Sequence, residues 1–195
     1  MSFDGAVKRL PVRKLALIST ARGILENACP EDGDCGKRCG KACCRGDGEI
    51  WLLPHERHFY EDNGFGSSRN GMYTVKEYKS GGKKLETLVC RGSCEDCRDT
   101  RPYWCRVFPC FPSVSVDGDM IDLRMRLDVR GNMCPFVTDG VPVSGKFADA
   151  VAESVFVLAE DDAMLRFLTE RSAFYGEIEE LGSRLSAHGP DADEK

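Results

Sequence analysis

The sequence predicts an α+β protein: a small cysteine-rich, metal-organised body of short hairpins and loops, followed by C-terminal helices. Three observations predict it. Of 11 cysteines, five lie in 29–44, five in 90–110, and none follows Cys134. Alternating apolar and polar runs flank turn residues in the middle of the chain. From Ser144 onward, apolar residues recur at helical spacing. The regions that follow are an N-terminal arm and short helix over 1–28, a cysteine-cluster metal-binding domain over 29–143, a helical extension over 144–187, and a disordered tail over 188–195.

Residues 1–12 read as a loosely ordered arm. Over 14–27, Leu15, Ile18 and Leu25 fall near one helical face, with Gly23 as a weak point. The first cysteine cluster is too irregular for a helix or strand. "EIWLL" (49–53) is a short apolar run that suits a buried strand, and Pro54 can open a brief helix, PHERHFYED. "MYTVKEYK" and "KLETLVC", separated by Ser80-Gly81-Gly82-Lys83, predict a hairpin. "SVSV" and "MIDLRMRL" around Asp117-Gly118 predict a second, with the type I′ turn that Asp-Gly favours.

Beyond Ser144, Phe147, Val151, Val155 and Leu158 share one side of a helix. "DDAMLRFLTERS" starts with an acidic turn, and "AFYGEIEELGSRLSA" places Phe174, Ile178, Leu181 and Leu185 at helical spacing. Such stripes are packing faces. The acidic HGPDADEK tail carries no apolar pattern.

A net charge of −5 over 195 residues, with both signs mixed, opposes a nucleic-acid binder that reads phosphates through a basic face. No run approaches the roughly 18 apolar residues of a membrane helix. The apolar run Leu15–Ile18 is shorter than the roughly 7–15 residues of a signal peptide core. The expected location is therefore cytoplasmic, where thiols stay reduced. An odd cysteine count also precludes complete internal pairing.

Clustered reduced thiols point to metal. In Cys35-x3-Cys39-x3-Cys43-Cys44, glycine after cysteine lets the backbone turn tightly, and Lys37, Arg38, Lys41 and Arg45 favour thiolate. In "CEDCRDTRPYWCRVFPC" (94–110), Cys94-x2-Cys97 is the loop that wraps two sulfurs round one ion or cluster corner. Arg101 and Arg106 bracket Cys105 and can offset thiolate charge. The candidate ligands are Cys35, Cys39, Cys43, Cys44, Cys94, Cys97, Cys105 and Cys134, with Cys29, Cys90 and Cys110 in reserve. Both an iron–sulfur cluster and zinc accept four thiolates. Cysteine followed by proline, at Cys29 and Cys134, favours iron–sulfur first and zinc second.

"CGKACCRGDGEIWLLPHE" (39–56), "RPYWCRVFP" (101–109) and the late Cys134-Pro135 together resemble the YkgJ-type cysteine-cluster family, described as zinc- or iron-chelating. The likeness spans about residues 35–135 and aligns Glu56 with an acidic position of that family. The first cluster is one residue longer at each step than the family pattern, and Cys94-Glu-Asp-Cys97 replaces a more apolar segment. Cys29, Cys90 and Cys110 lie outside the pattern. The family includes flagellin lysine-N-methylases associated with an iron–sulfur centre, although this chain shows no separate methyl-donor motif.

His55 and His58 fall three apart on the expected short helix, unlike the i, i+4 pair of HExxH, and read as an exposed polar face. GDG (46–48) and GFG (64–66) read as turns, and DGDM (117–120) as a hairpin turn rather than a calcium loop. Trp51, Phe59 and Trp104 read as core around the metal loops. The expected role is a cytosolic metal-binding protein with one or two Cys-ligated centres. The alternatives are an iron–sulfur enzyme in redox or protein-lysine methyl transfer, and a zinc-stabilised module that docks a protein partner.

Overall fold

Residues 12–45, 49–61, 73–80, 83–90, 100–131 and 133–187 are described in a computed structural model of the chain. The expectations for the arm before residue 12, for Cys94 and Cys97, for 46–48 and 64–66, and for the 188–195 tail lie outside them.

Helices and antiparallel sheets are mixed, as the α+β pattern requires. The predicted first helix is α1 (Val12–Ile24), which buries Ile18 and Ala21. The first cysteine cluster, expected to be irregular, instead holds two single-turn helices, α2 (Gly36–Cys39) and α3 (Ala42–Arg45). Strand β1 (Glu49–Trp51) follows.

The Pro54 helix is displaced. His55 has φ +72°, which breaks a right-handed run, so helix α4 begins only at His58 (His58–Glu61). His55 and His58 are therefore not one helical face. Their rings stack at 6.2 Å and 8°, and burial, with Lys14 and His58 nearby, lowers the His55 pKa.

Both hairpins form. Strands β2 (Tyr73–Ser80) and β3 (Lys83–Cys90) pair from Tyr73↔Cys90 to Ser80↔Lys83, and β1 joins the far edge of β3 with Ile50 opposite Leu88. After helix α5 (Tyr103–Val107), strands β4 (Cys110–Asp117) and β5 (Met120–Leu127) make a separate two-stranded sheet. Asp117 pairs with Met120, which leaves Gly118 and Asp119 as the loop. Gly118 has φ +58° and Asp119 does not have positive φ. The turn is thus type II′ with glycine at its first central position, not the type I′ that Asp-Gly suggested.

Helix α6 (Pro135–Thr138) leads to α7 (Gly145–Ala159), where Phe147, Val151, Val155 and Leu158 are buried as their spacing predicts. The last two segments form one continuous helix of 26 residues, α8 (Asp162–Ala187). Its buried face is Met164, Leu168, Ser172 and Tyr175, whereas Phe174 and Leu181 are exposed. Leu168, Ser172 and Tyr175 also recur at helical spacing, but interrupting polar residues hide that stripe in the sequence.

One apolar core joins α1, α5, β4, α7 and α8. Trp104 stacks on Phe111 at 5.5 Å, and Phe111 on Tyr175 at 3.9 Å. Two hydrogen bonds serve polar groups inside it, while Trp104 Nε1 is buried without one. Tyr103 Oη and Ser154 Oγ lie 3.0 Å apart, and the Val114 N–H on β4 donates to Ser172 Oγ at 2.7 Å. A smaller cluster of Leu52, Tyr60, Tyr73 and Leu88 lies under the three-stranded sheet. Among the described residues, no helix is long and apolar enough to cross a membrane.

Leu158 is fully buried where α7 meets this core. Leu158→Ala is expected to cost about 2–5 kcal/mol. Urea unfolding should show a lower midpoint with unchanged slope; a midpoint equal to that of the parent chain would contradict the packing described.

Candidate metal centre

Helix α5 has two different sides. Pro102 enters it in extended conformation, as a residue before a helical turn should. Tyr103, Trp104 and Val107 are buried in the main core. Cys105 and Arg106, on the remaining arc, line a cavity on the opposite side. The N-terminus of α5 is tied to the β1–α4 loop by Glu56, which is 0% exposed. Its two oxygens accept the Leu53 N–H at 3.0 Å and the Tyr103 N–H at 2.7 Å. Burial raises the Glu56 pKa, while Arg22, these two N–H groups and Arg106 oppose the rise.

The other walls come from distant segments. Cys35 precedes α2 and Cys39 ends it; Gly40, with φ +59°, closes the helix in left-handed conformation and donates its N–H to Gly36. Lys41 is also left-handed at φ +61°, so the chain reverses between Cys39 and Cys43. Glycine thus does what the sequence implied at position 40. At Gly36 the reason differs: a Cβ there would lie 2.7 Å from Lys41 Cγ. Cys134 sits at the N-cap of α6 with proline in the first turn.

These segments meet at one cavity of about 70 Å3, lined by Cys29, Cys35, Cys39, Cys43, Cys105 and Cys134 together with Arg101 and Arg106. That space is far below the roughly 300–1,000 Å3 of an organic-ligand pocket and on the scale of an inorganic centre. Both Cys-Pro pairs, Cys29-Pro30 and Cys134-Pro135, border it. The Cys29 and Cys35 side chains are hydrogen-bonded, and Cys39 is close enough to raise the pKa of both Cys35 and Cys134.

The basic residues of the first cluster do not dominate its thiols. The Cys35 thiol is pushed up to about 12, first by burial and then by the Cys29, Asp34 and Cys39 charges. Cys134 is also raised, chiefly by burial. Arg38, expected to favour thiolate, is paired with Glu31 at 2.5 Å. Arg106 donates its Nε–H to the Arg101 carbonyl at 2.9 Å, which orients the Arg106 guanidinium beside Cys105.

Five candidate ligands thus converge: Cys35, Cys39, Cys43, Cys105 and Cys134. Cys44 lies on α3 beside Cys43, and Cys94 and Cys97 fall outside the described residues. Of the reserves, Cys29 joins the cavity; its early Cys-Pro was the available signal. Cys110 is a buried core residue at the start of β4, and Cys90 packs beside the Leu52–Tyr60–Tyr73–Leu88 cluster. Cys29, Cys35, Cys39, Cys110 and Cys134 are free thiols. Among the described residues, no group of three or more His, Cys, Asp or Glu side chains is arranged so that it could hold a metal ion. The thiols line one space without being closed into a chelate.

No family model matches the chain, and neither a curated protein nor a solved structure matches it.

Two contacts hold the cavity walls, and each generates an expectation. Glu56→Gln replaces one acceptor oxygen with an NH2 that faces a buried N–H, at a cost of about 1–3 kcal/mol. Chemical denaturation should show that loss; unchanged stability would mean that Glu56 does not tie α5 to its neighbour. At Gly131, a Cβ would lie 2.7 Å from Phe108 Cζ and 3.1 Å from the Asp128 carbonyl. Phe108 lines the cavity, so Gly131→Ala should displace it and destabilise the fold by about 1–3 kcal/mol. A thermal melt identical to that of the parent chain would contradict this close approach.

Proposed function

We propose that the chain is a metal-binding protein whose cysteine loops hold one or two thiolate-ligated centres, iron–sulfur in preference to zinc. The observation that carries this reading is the convergence of six cysteines, from 29–43, 105 and 134, on one small cavity. Cys29, Cys35, Cys39, Cys43, Cys105 and Cys134 are the ligands that this space supports. Cys44, Cys94 and Cys97 remain candidates from the spacing of the sequence.

The donor set fits such a group chemically. Thiolate is the form that binds metal, and neighbouring, partly desolvated thiols resist ionisation without a cation among them. Arg101 and Arg106 line the same space, and their charge would offset that of a four-thiolate centre. Closing the thiols onto an ion calls on χ1, the one soft side-chain torsion each cysteine has. When bound, iron–sulfur would supply electron transfer, whereas zinc would supply a closed structural crosslink. The chain's own residues would bind the group, exclude bulk water through Phe108, Pro109 and Phe136, and balance its charge.

The resemblance to the YkgJ-type family supports the same reading, because Arg101–Pro109, Glu56 and Cys134-Pro135 are its carriers and all help to build this region. Within it, an iron–sulfur enzyme in redox or protein-lysine methyl transfer and a zinc-stabilised protein-docking module are the two more specific roles. A cytoplasmic setting is part of the proposal, since it keeps thiols reduced.

Anaerobic purification followed by elemental analysis and a visible spectrum tests this. The expected result is stoichiometric iron, with absorbance that dithionite bleaches, or stoichiometric zinc without colour. Cys39→Ser and Cys105→Ser should each lower metal content, while Cys110→Ser should retain it. A chain isolated without metal, or undiminished content in both cavity variants, would refute the proposal.

A further inference from the structure

A half-exposed face of α8 repeats Phe167, Arg171, Phe174, Ile178 and Leu181, and in sequence Leu185 continues the spacing of four, three, four, three, four; Phe167 borders the core and Trp51 packs edge-on against Phe174 at 5.7 Å. That is the a/d seam of a helix that packs on another helix. The chain's own core takes the adjoining face, through Met164, Leu168, Ser172 and Tyr175. Along the seam, Phe174 is 42% exposed and Leu181 57% exposed.

Arg171 interrupts this apolar seam. Its guanidinium lies 5.2 Å from the Trp51 ring, 5.5 Å from Phe167 and 5.6 Å from Phe174. Its Nε is buried and makes no hydrogen bond. Burial lowers its pKa, and the charge of Glu170 beside it opposes the shift. Among the described residues, no carboxylate pairs with it. A buried donor without an acceptor calls for an explanation.

We propose that this face is a dimer interface, in which α8 packs antiparallel against α8 of a second copy about a two-fold axis. The seam is self-complementary in that register. Phe174 faces the partner's Ile178 and Arg171 the partner's Leu181, with each pair repeated by the symmetry. The flanking heptad positions are Glu170, Glu177 and Arg184. In this arrangement they face one another across the pair. At ~1.5 Å rise per residue, Arg171 is offset from the partner's Glu177 by about 6 Å along the axis, within reach of an arginine side chain.

The charges then close. Each chain contributes Arg171 and Arg184 against Glu170 and Glu177. The two Glu177 carboxylates approach near the two-fold axis and are flanked by the two Arg171 guanidiniums. Arg184 already pairs with Glu180 one turn back, but both side chains are exposed, so that pair is weak and exchangeable. Parallel pairing lacks these features: it would stack Arg171 on its copy and set the glutamates opposite the buried Leu168 and Tyr175. Charge complementarity therefore selects a second copy in antiparallel orientation, independently of whether the cysteine cavity holds metal.

Sedimentation velocity on the full chain, isolated anaerobically, tests this. The expected species has about twice the 21.6 kDa chain mass. Leu181→Glu, at an exposed position, should raise the dimer dissociation constant at least ~10-fold with an unchanged circular dichroism spectrum. Arg171→Glu should weaken the dimer, and Arg171→Glu with Glu177→Arg should restore it. A monomer at concentrations up to ~100 µM, where contacts worth about 5 kcal/mol would already register, overturns the proposal. So does a dimer indifferent to Leu181→Glu, or a charge exchange that fails to restore it.

Discussion

The burial of one side of a single helical turn organises this molecule. Tyr103, Trp104 and Val107 insert into the main core, so α5 cannot rotate or slide without opening it. Cys105 and Arg106 are then committed to the opposite side. Glu56 locks the entry to that turn, and the Tyr103 hydroxyl meets Ser154 on α7. Packing energy in the core thereby positions a thiol and a guanidinium in a region that has little apolar packing of its own.

The opposite wall is built by different means. Residues 29–45 contribute few apolar side chains, and ordering a residue costs roughly 1–2 kcal/mol of backbone entropy. Short helical turns, left-handed Gly40 and Lys41, and the hydrogen bond from Ser144 N–H to the Pro30 carbonyl at 2.7 Å shape this stretch. Its thiols, half-buried at Cys29, Cys35 and Cys39 and exposed at Cys43, stand near one another, which is electrostatically unfavourable once they ionise. A bound cation would remove that penalty and supply ordering free energy that apolar burial does not. The two walls thus differ in kind: one would be set by the core, the other by the proposed centre.

Much of this was legible before any coordinates. Period-two alternation around Ser80-Gly81-Gly82-Lys83 gave the first hairpin, and Phe147, Val151, Val155 and Leu158 gave α7, because each pattern is local and strongly periodic. Local rules failed where a single residue overrode them. His55 adopts positive φ and delays α4 to His58. Gly118 and Asp119, rather than Asp117 and Gly118, occupy the central turn positions. On α8 the visible stripe through Phe174 and Leu181 is the exposed one. Buried Ser172 is polar and its role, bonding the Val114 N–H, is set by tertiary contact. At the cavity, Cys105 and Cys134 could be singled out from their motifs, whereas the inclusion of Cys29 and the exclusion of Cys110 depended on long-range packing that no spacing encodes.

In the proposed centre, thiols from 29–43, 105 and 134 surround one inorganic group. X-ray absorption on protein isolated under nitrogen tests this most directly, since it reads the donor atoms around the metal. The expected result is a shell of sulfur scatterers, at ~2.3 Å if the metal is zinc. A shell dominated by nitrogen or oxygen, or no bound metal to measure, would contradict it.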